Sequence, residues 1–164
     1  MAARALLLPL SDLKVVDYSA LLQRIAALCE HETDEIALMA TIACEVHHND
    51  ERFDWTGFYR VTEPQMLKIG PYQGGHGCLV IPFSRGVCGA AARSQEIQII
   101  ADVEAFEDHI ACSSSTRSEL VIPVINGQAA LIAVFDIDSD QLNAFDAQDA
   151  SALSAILLQV FERL

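Results

Sequence analysis

Hydrophobic positions along this chain switch repeatedly between helical and strand-like rhythms. Tyr18, Leu21, Leu22, Ile25, Leu28 and Cys29 recur at helical spacing, which predicts an amphipathic helix over about 17–31. Ile36, Met39, Ile42, Ala43 and Val46 continue that spacing in a second helix. Thr33 is its expected N-cap, with Asp34 and Glu35 favourably placed at its positive end. Cys29 and Cys44 fall on or near these stripes and read as core fillers.

From Phe53 the pattern turns strand-like. Residues 53–61 are rich in aromatic and β-branched side chains, and 66–72 reads as their partner across the turn Thr62-Glu63-Pro64-Gln65. Alternation puts Trp55, Gly57 and Tyr59 on one strand face and sends Phe53 and Phe58 to different faces. A short helix is expected over 87–94, a strand over 97–100, and a long loop with one helical turn over 102–116. Residues 120–125 and 129–138 flank Asn126-Gly127, the signal for a tight hairpin whose two central residues take positive φ. Asp146 and Asp149 resemble a capping box opening a last helix, buried through Ala150, Leu153, Leu157, Val160, Phe161 and Leu164. Helices at both ends and hairpins between them predict an α+β domain with an antiparallel sheet.

Composition narrows the function. The chain of 164 residues can bury a full core as one domain, and 52% of it is hydrophobic. A net charge of −13 argues against nucleic acid and anionic membrane surfaces as partners, and suits a zwitterionic or cationic small ligand better. The first ten residues carry a short apolar run broken by Pro9 and followed by Asp12, a poor secretory signal, and no stretch is long enough to span a bilayer. A cytoplasmic location is the expectation. Five cysteines without a CxxC pair do not suggest a disulfide framework there, so any disulfide should be transient and chemical.

Cys78, Cys88 and Cys112 each sit in a glycine- or serine-rich turn, where backbone is adaptable and a reactive thiol is useful. His76, Cys78, Cys88, His109 and Cys112 could in principle supply zinc ligands, but the closely paired knuckles of zinc sites are missing. No GxSxG elbow supports a serine hydrolase. Asp136 and Asp138 share a strand face on which Ile132 and Val134 are also expected. Either burial and mutual repulsion raise one of their pKa values, or both sit at a solvated strand end; spacing leaves both readings open. Glu119 begins the paired strand, and Trp55 with Tyr59 could wall a pocket or simply fill the core.

The segments Asp54-Trp55-Thr56-Gly57-Phe58-Tyr59, Gly70-Pro71-Tyr72-Gln73-Gly74, Ile81-Pro82-Phe83, Gly86-Val87-Cys88-Gly89, Asp108-His109-Ile110-Ala111-Cys112, Ser118-Glu119 and Phe135-Asp136-Ile137-Asp138-Ser139 occur in an order that resembles the free methionine-(R)-sulfoxide reductases. That resemblance implies a single GAF domain over 17–164, preceded by an N-terminal extension over 1–16. It implies reduction of free methionine-(R)-sulfoxide, with Cys112 attacking, Cys78 resolving, and Cys88 able to join an alternative disulfide. Glu119, Asp136 and Asp138 would line the substrate pocket, and Trp55 and Tyr59 would hold the methyl end. No bound cofactor is implied. The reductant would be thioredoxin, with NADPH and thioredoxin reductase behind it, and related proteins often form homodimers. Ser113, Arg117, Ser84 and His76-Gly77 depart from the family's usual residues. An acidic cluster should disfavour a Cys112 thiolate, unless His109 and Arg117 compensate or the thiolate forms only with substrate and proton present. The rival readings are a GAF module that binds a small ligand without turnover and a redox sensor using the same cysteines.

Overall fold

A computed structural model describes residues 16–164. The extension expected over 1–16 lies outside the described residues except for Val16. The elements are α1 (Tyr18–Leu28), α2 (Glu35–His47), β1 (Trp55–Glu63), β2 (Met66–Gln73), β3 (Val80–Pro82), α3 (Gly86–Ser94), β4 (Gln98–Ile100), β5 (Ser118–Ile125), β6 (Leu131–Ser139) and α4 (Ala147–Phe161). A 3-10 turn at Val103–Ala105 is the helical turn expected in the long loop. The strands form one antiparallel sheet in the order β3-β2-β1-β6-β5-β4. This is the α+β arrangement that the alternating rhythms predict.

Each face of the sheet carries its own core. On one face α1, α2 and α4 pack Leu21, Ile25, Met39, Ile42, Leu153 and Phe161 against Phe58, Leu120 and Phe135. On the other, α3 and the flanking loops cover Trp55, Tyr59, Leu67, Val121 and Val134. Helical stripes and the sheet face beneath them build the first core. The second is assembled from the sheet and α3, with Phe83, Phe106 and Ile110 added by loops, and it is the one that holds the chemistry.

Local expectations fail where alternation is interrupted. Phe53 precedes β1, so strand parity does not govern it; it joins Phe58 on the helical face. Ile132 packs toward the helices together with Ala133, because β5 pairs Val124 with Ala133 and Ile125 with Leu131, which leaves Ile132 as a bulge. It therefore does not share a face with Asp136. Asp34, not Thr33, caps α2, accepting a hydrogen bond from the Ala37 amide at 2.8 Å. Helix α1 ends at Leu28, which is exposed, and His31 turns out of the helix at φ 66°. Ile36 is exposed, Leu38 is buried in its stead, and Cys44 is exposed instead of filling the core.

The Asn126-Gly127 turn also differs. Residues 126–130 form a wider loop, closed by hydrogen bonds from Asn126 N to Ala130 O and from Ala129 N to Asn126 O, and the positive φ falls on Ala129. Gly127 is there for room, since a Cβ would strike the Glu162 carbonyl oxygen at the end of α4. The capping box forms as expected, with Asp146 accepting from the Asp149 amide and Asp149 accepting from the Asp146 amide. Asp149 also holds Arg52 through two hydrogen bonds, at 3.0 and 3.2 Å, and accepts one from the Tyr18 hydroxyl at 2.5 Å.

Candidate active site

Strand register brings the acids together. Asp138 on β6 stands between Trp55 on β1 and Glu119 on β5, and Asp136 stands between Gly57 and Val121. Because β6 is flanked on both sides, its same-face carboxylates are held over the second core and not at a fraying end. Asp136 and Glu119 are buried, with 5% and 6% of their surface exposed, which answers the question that spacing leaves open. Cys88, in the first turn of α3, comes down onto them with its thiol 3.8 Å from Glu119 Oε1.

The electrostatics follow from that burial. Asp136 is pushed up to about 7, first by loss of solvent, with hydrogen bonds from Cys88 and Glu119 opposing the rise. Burial and then the Asp136 and Asp138 charges hold Glu119 well above the usual carboxylate range. Asp138 is raised in the same way, by burial, then Asp136, Asp140 and Asp54. Burial and the same acids also raise the Cys88 thiol, so it is a poor thiolate at neutral pH. Asp136 Oδ1 is buried with no hydrogen-bond partner among the described residues, an acceptor left for something that enters the cavity.

That cavity is lined by Trp55, Tyr59, Cys88, Cys112, Glu119, Asp136 and Asp138, together with residues of the loops and of α3. Seven of the eight residues singled out by the sequence thus meet around one space. The eighth, Cys78, is bonded to Cys112 in a disulfide that spans 34 positions of sequence, with the two Cα atoms 5.1 Å apart. Cys88 is a free thiol. Two aromatic rings build one wall, Trp55 stacking on Tyr59 at 5.7 Å, and Tyr72, outside the lining, stacks on Trp55 at 5.3 Å. A Cβ at Gly77 would come within 2.8 Å of the Tyr59 hydroxyl and 3.0 Å of the Trp55 ring. The glycine before Cys78 therefore lets the cysteine segment lie directly on that wall.

Sequence reasoning gives no role in the site to Tyr72, Gly77 and Ile110, which it names only within segments, and passes over Thr116; the last three line the cavity. Only their nearness to Trp55's partner strand and to the cysteines could have pointed to them. Of the alternatives for offsetting the acids, a charge on His109 is disfavoured: burial lowers its pKa, favouring the neutral ring, and its Nδ1 finds no partner among the described residues. A neutral imidazole cannot stabilise a thiolate by charge.

The zinc set considered from sequence is not assembled as such, since Cys78 and Cys112 are bonded to each other. The donors that do converge are Cys88 Sγ and carboxylate oxygens of Glu119 and Asp136, all within 4.8 Å of one another. Those atoms could hold a soft divalent ion only after losing protons that their surroundings favour keeping.

The GAF domain family model matches residues 18–160. Protein YtsP of Bacillus subtilis is 41% identical over 86% of this chain and 86% of its own length. The free methionine-R-sulfoxide reductase of Escherichia coli is 36% identical over 87% of this chain and 86% of its own. In structure, the free methionine-R-sulfoxide reductase of Neisseria meningitidis, solved in complex with its substrate, superimposes with a TM-score of 0.82 at 39% identity. It covers 88% of this chain and 86% of the other. By that family match and those likenesses over most of its length, the chain belongs to the GAF-domain free methionine-R-sulfoxide reductases.

Proposed function

We propose that the protein reduces free methionine-(R)-sulfoxide to methionine, with Cys112 as nucleophile. The observation that carries this reading is the disulfide at the mouth of a cavity floored by protonatable acids. In the reduced enzyme the Cys112 sulfur attacks the sulfoxide sulfur. The oxygen can depart only as it gains a proton, and a carboxyl group kept neutral near pH 7 supplies it. The S–O bond breaks as the bond to Cys112 forms, and the oxygen leaves as water. Water then adds to Cys112 Sγ, methionine leaves with the electron pair of the sulfur–sulfur bond, and Cys112 is left as a sulfenic acid. From that acid the Cys78 thiol displaces the oxygen as water to form the disulfide.

An entering ammonium group would lower the pKa of the carboxyl it meets and pair with it. An enclosed acidic site thereby favours a free amino acid over a residue within a peptide. Trp55 and Tyr59 offer the flat apolar wall that a thioether methyl needs. Cys88 can serve as an alternative resolving thiol after Cys112 is oxidised, and its position beside Glu119 keeps it protonated until then.

A dithiol reductant of the thioredoxin type would reopen the bond by exchange, which suits a reducing cytoplasm. Among the described residues no helix is long and apolar enough to cross a membrane. Leu28 on α1 and Leu158 on α4, exposed at 57% and 55%, suit a homodimer through the helical face.

Thioredoxin-coupled NADPH oxidation with the R and S isomers of free methionine sulfoxide tests the reading. Turnover of R alone, abolished in Cys112→Ser, is the expected result. Consumption of neither isomer, or full activity in Cys112→Ser, would return the protein to the non-catalytic ligand-binding or redox-sensing readings.

A further inference from the structure

The Cys78–Cys112 bond has two unlike sides. Cys112 lines the cavity, whereas Cys78 lies outside its lining. The two residues after Cys78 turn outward: Leu79 is 73% exposed and Val80 47%. They enter β3, which is an edge of the sheet. On its inner side Val80 pairs with Lys68, and the Leu79 carbonyl accepts the Ile69 amide at 3.1 Å. The backbone of this segment is thus fixed while its apolar side chains face solvent, directly beside a redox-active sulfur.

Charge is distributed as unevenly. The chain has 23 acidic residues, yet none occurs from Pro64 to Gln95, a stretch holding Lys68, His76, Arg85 and Arg93. Lys68 is offset in part by Glu63 at 3.5 Å, with both side chains well exposed. Across the opening, Asp54, Asp138 and Asp140 gather around Cys112 and the Ser113–Ser115 loop. A negatively charged partner approaching the disulfide meets repulsion on that side and none of comparable strength on the β3 side.

We propose that Leu79 and Val80, with Lys68 beside them, form the docking surface for an acidic dithiol protein whose nucleophilic cysteine has an apolar rim, and that this partner attacks Cys78. The proposal rests on the reading above that an external dithiol protein recycles the disulfide. The partner's thiolate forms a bond to Cys78 Sγ as the Cys78–Cys112 bond breaks, and Cys112 leaves with the electron pair and takes up a proton. The partner's second thiol then displaces Cys78, loses its own proton and closes the partner's disulfide. Two electrons have passed to the enzyme, and the first thiol restored is the one that faces the cavity.

Turnover of free methionine-(R)-sulfoxide should be followed in parallel with thioredoxin (plus its reductase and NADPH) and with dithiothreitol. In Leu79→Ser/Val80→Thr the KM for thioredoxin should rise at least fivefold, and in Lys68→Glu severalfold. The dithiothreitol-driven rate and the substrate KM should stay within twofold of the parent in both. If the double variant loses dithiothreitol-driven turnover, Leu79→Ser alone, which leaves the β3 backbone pairing intact, is measured the same way. A thioredoxin with its resolving cysteine changed to serine should be trapped on Cys78 when peptides are mapped by mass spectrometry. An unchanged thioredoxin KM in the variants overturns the docking surface, and trapping on Cys112 overturns the direction of attack. A parent enzyme that turns over with dithiothreitol but not with thioredoxin overturns the recycling reading along with the surface. Failure with both reductants overturns the reductase reading itself.

Discussion

Asp136 and Asp149 are both aspartates with 5% of their surface exposed, on opposite sides of the sheet, yet their carboxyl groups are shifted in opposite directions. Burial raises both. At Asp149 the Arg52 guanidinium, the Tyr18 hydroxyl and the Asp146 amide overcome it, and the acid stays charged. At Asp136 no cation among the described residues answers, the neighbours are two more acids and a thiol, and the pKa moves to about 7. The contrast separates two uses of a buried acid. A charged, fully bonded carboxylate ties the start of α4 to α1 and to the segment before β1. A half-protonated, incompletely bonded one can exchange a proton with a ligand.

The largest effect that would break this contrast is on rate. Asp136→Asn should lower kcat/KM by about 10²–10³-fold, within the range for removing a general acid, while thermal stability holds or rises because a repulsive buried group is gone. A loss of stability matching that of Asp149→Asn would remove the distinction. Next, Arg52→Met should cost about 2–4 kcal/mol in urea unfolding, since it strands Asp149 and Asp50. The activity per folded molecule should not change.

The pH response should then differ in sign. Above about pH 7, kcat/KM should fall by about tenfold per pH unit as the donor carboxyl loses its proton. For stability, a raised folded pKa means that the native state binds the proton more tightly. The Asp136 contribution is therefore full below the ordinary aspartate value and is lost as pH rises toward about 7. The lowered Asp149 works the other way: its contribution is present above the ordinary value and disappears as pH falls through the folded one. Melting curves of Asp136→Asn and Asp149→Asn against the parent should therefore diverge from it in opposite pH ranges. Smallest of all, Tyr18→Phe should cost about 1 kcal/mol by removing one hydrogen bond to a charged acceptor that keeps its others.

What the sequence discloses divides along the same line. The helical face is legible because one period governs each stripe, and the Asp146–Asp149 capping box is local. Its node is not legible: Arg52 lies 97 positions from Asp149, and no spacing rule links them. On the other face, alternation correctly puts Asp136 with Asp138, and Trp55 with Tyr59. Whether those acids are buried depends on strand neighbours from distant parts of the chain and on α3 lying over them. The errors at Phe53, Ile132 and Asn126-Gly127 have one cause, an irregularity at a strand end or bulge that ideal periodicity does not contain. Cys78 and Cys112 are paired by resemblance and then by geometry, and composition alone could not have chosen between them and Cys88.

The disulfide has a consequence for the chain as a polymer. Cys78 and Cys112 close a loop of 34 positions that carries α3 and β4, and such closure restricts the unfolded chain by about 4 kcal/mol in the chain-entropy picture. In the proposed cycle each turnover therefore alternates between a tethered and an untethered polymer. The oxidised enzyme should be the harder one to melt or digest, and the α3 segment that delivers Cys88 to the acids loses a covalent tether whenever the bond is opened. Protease sensitivity between β3 and β5 would then report redox state, linking how long the protein survives to how well it is supplied with electrons.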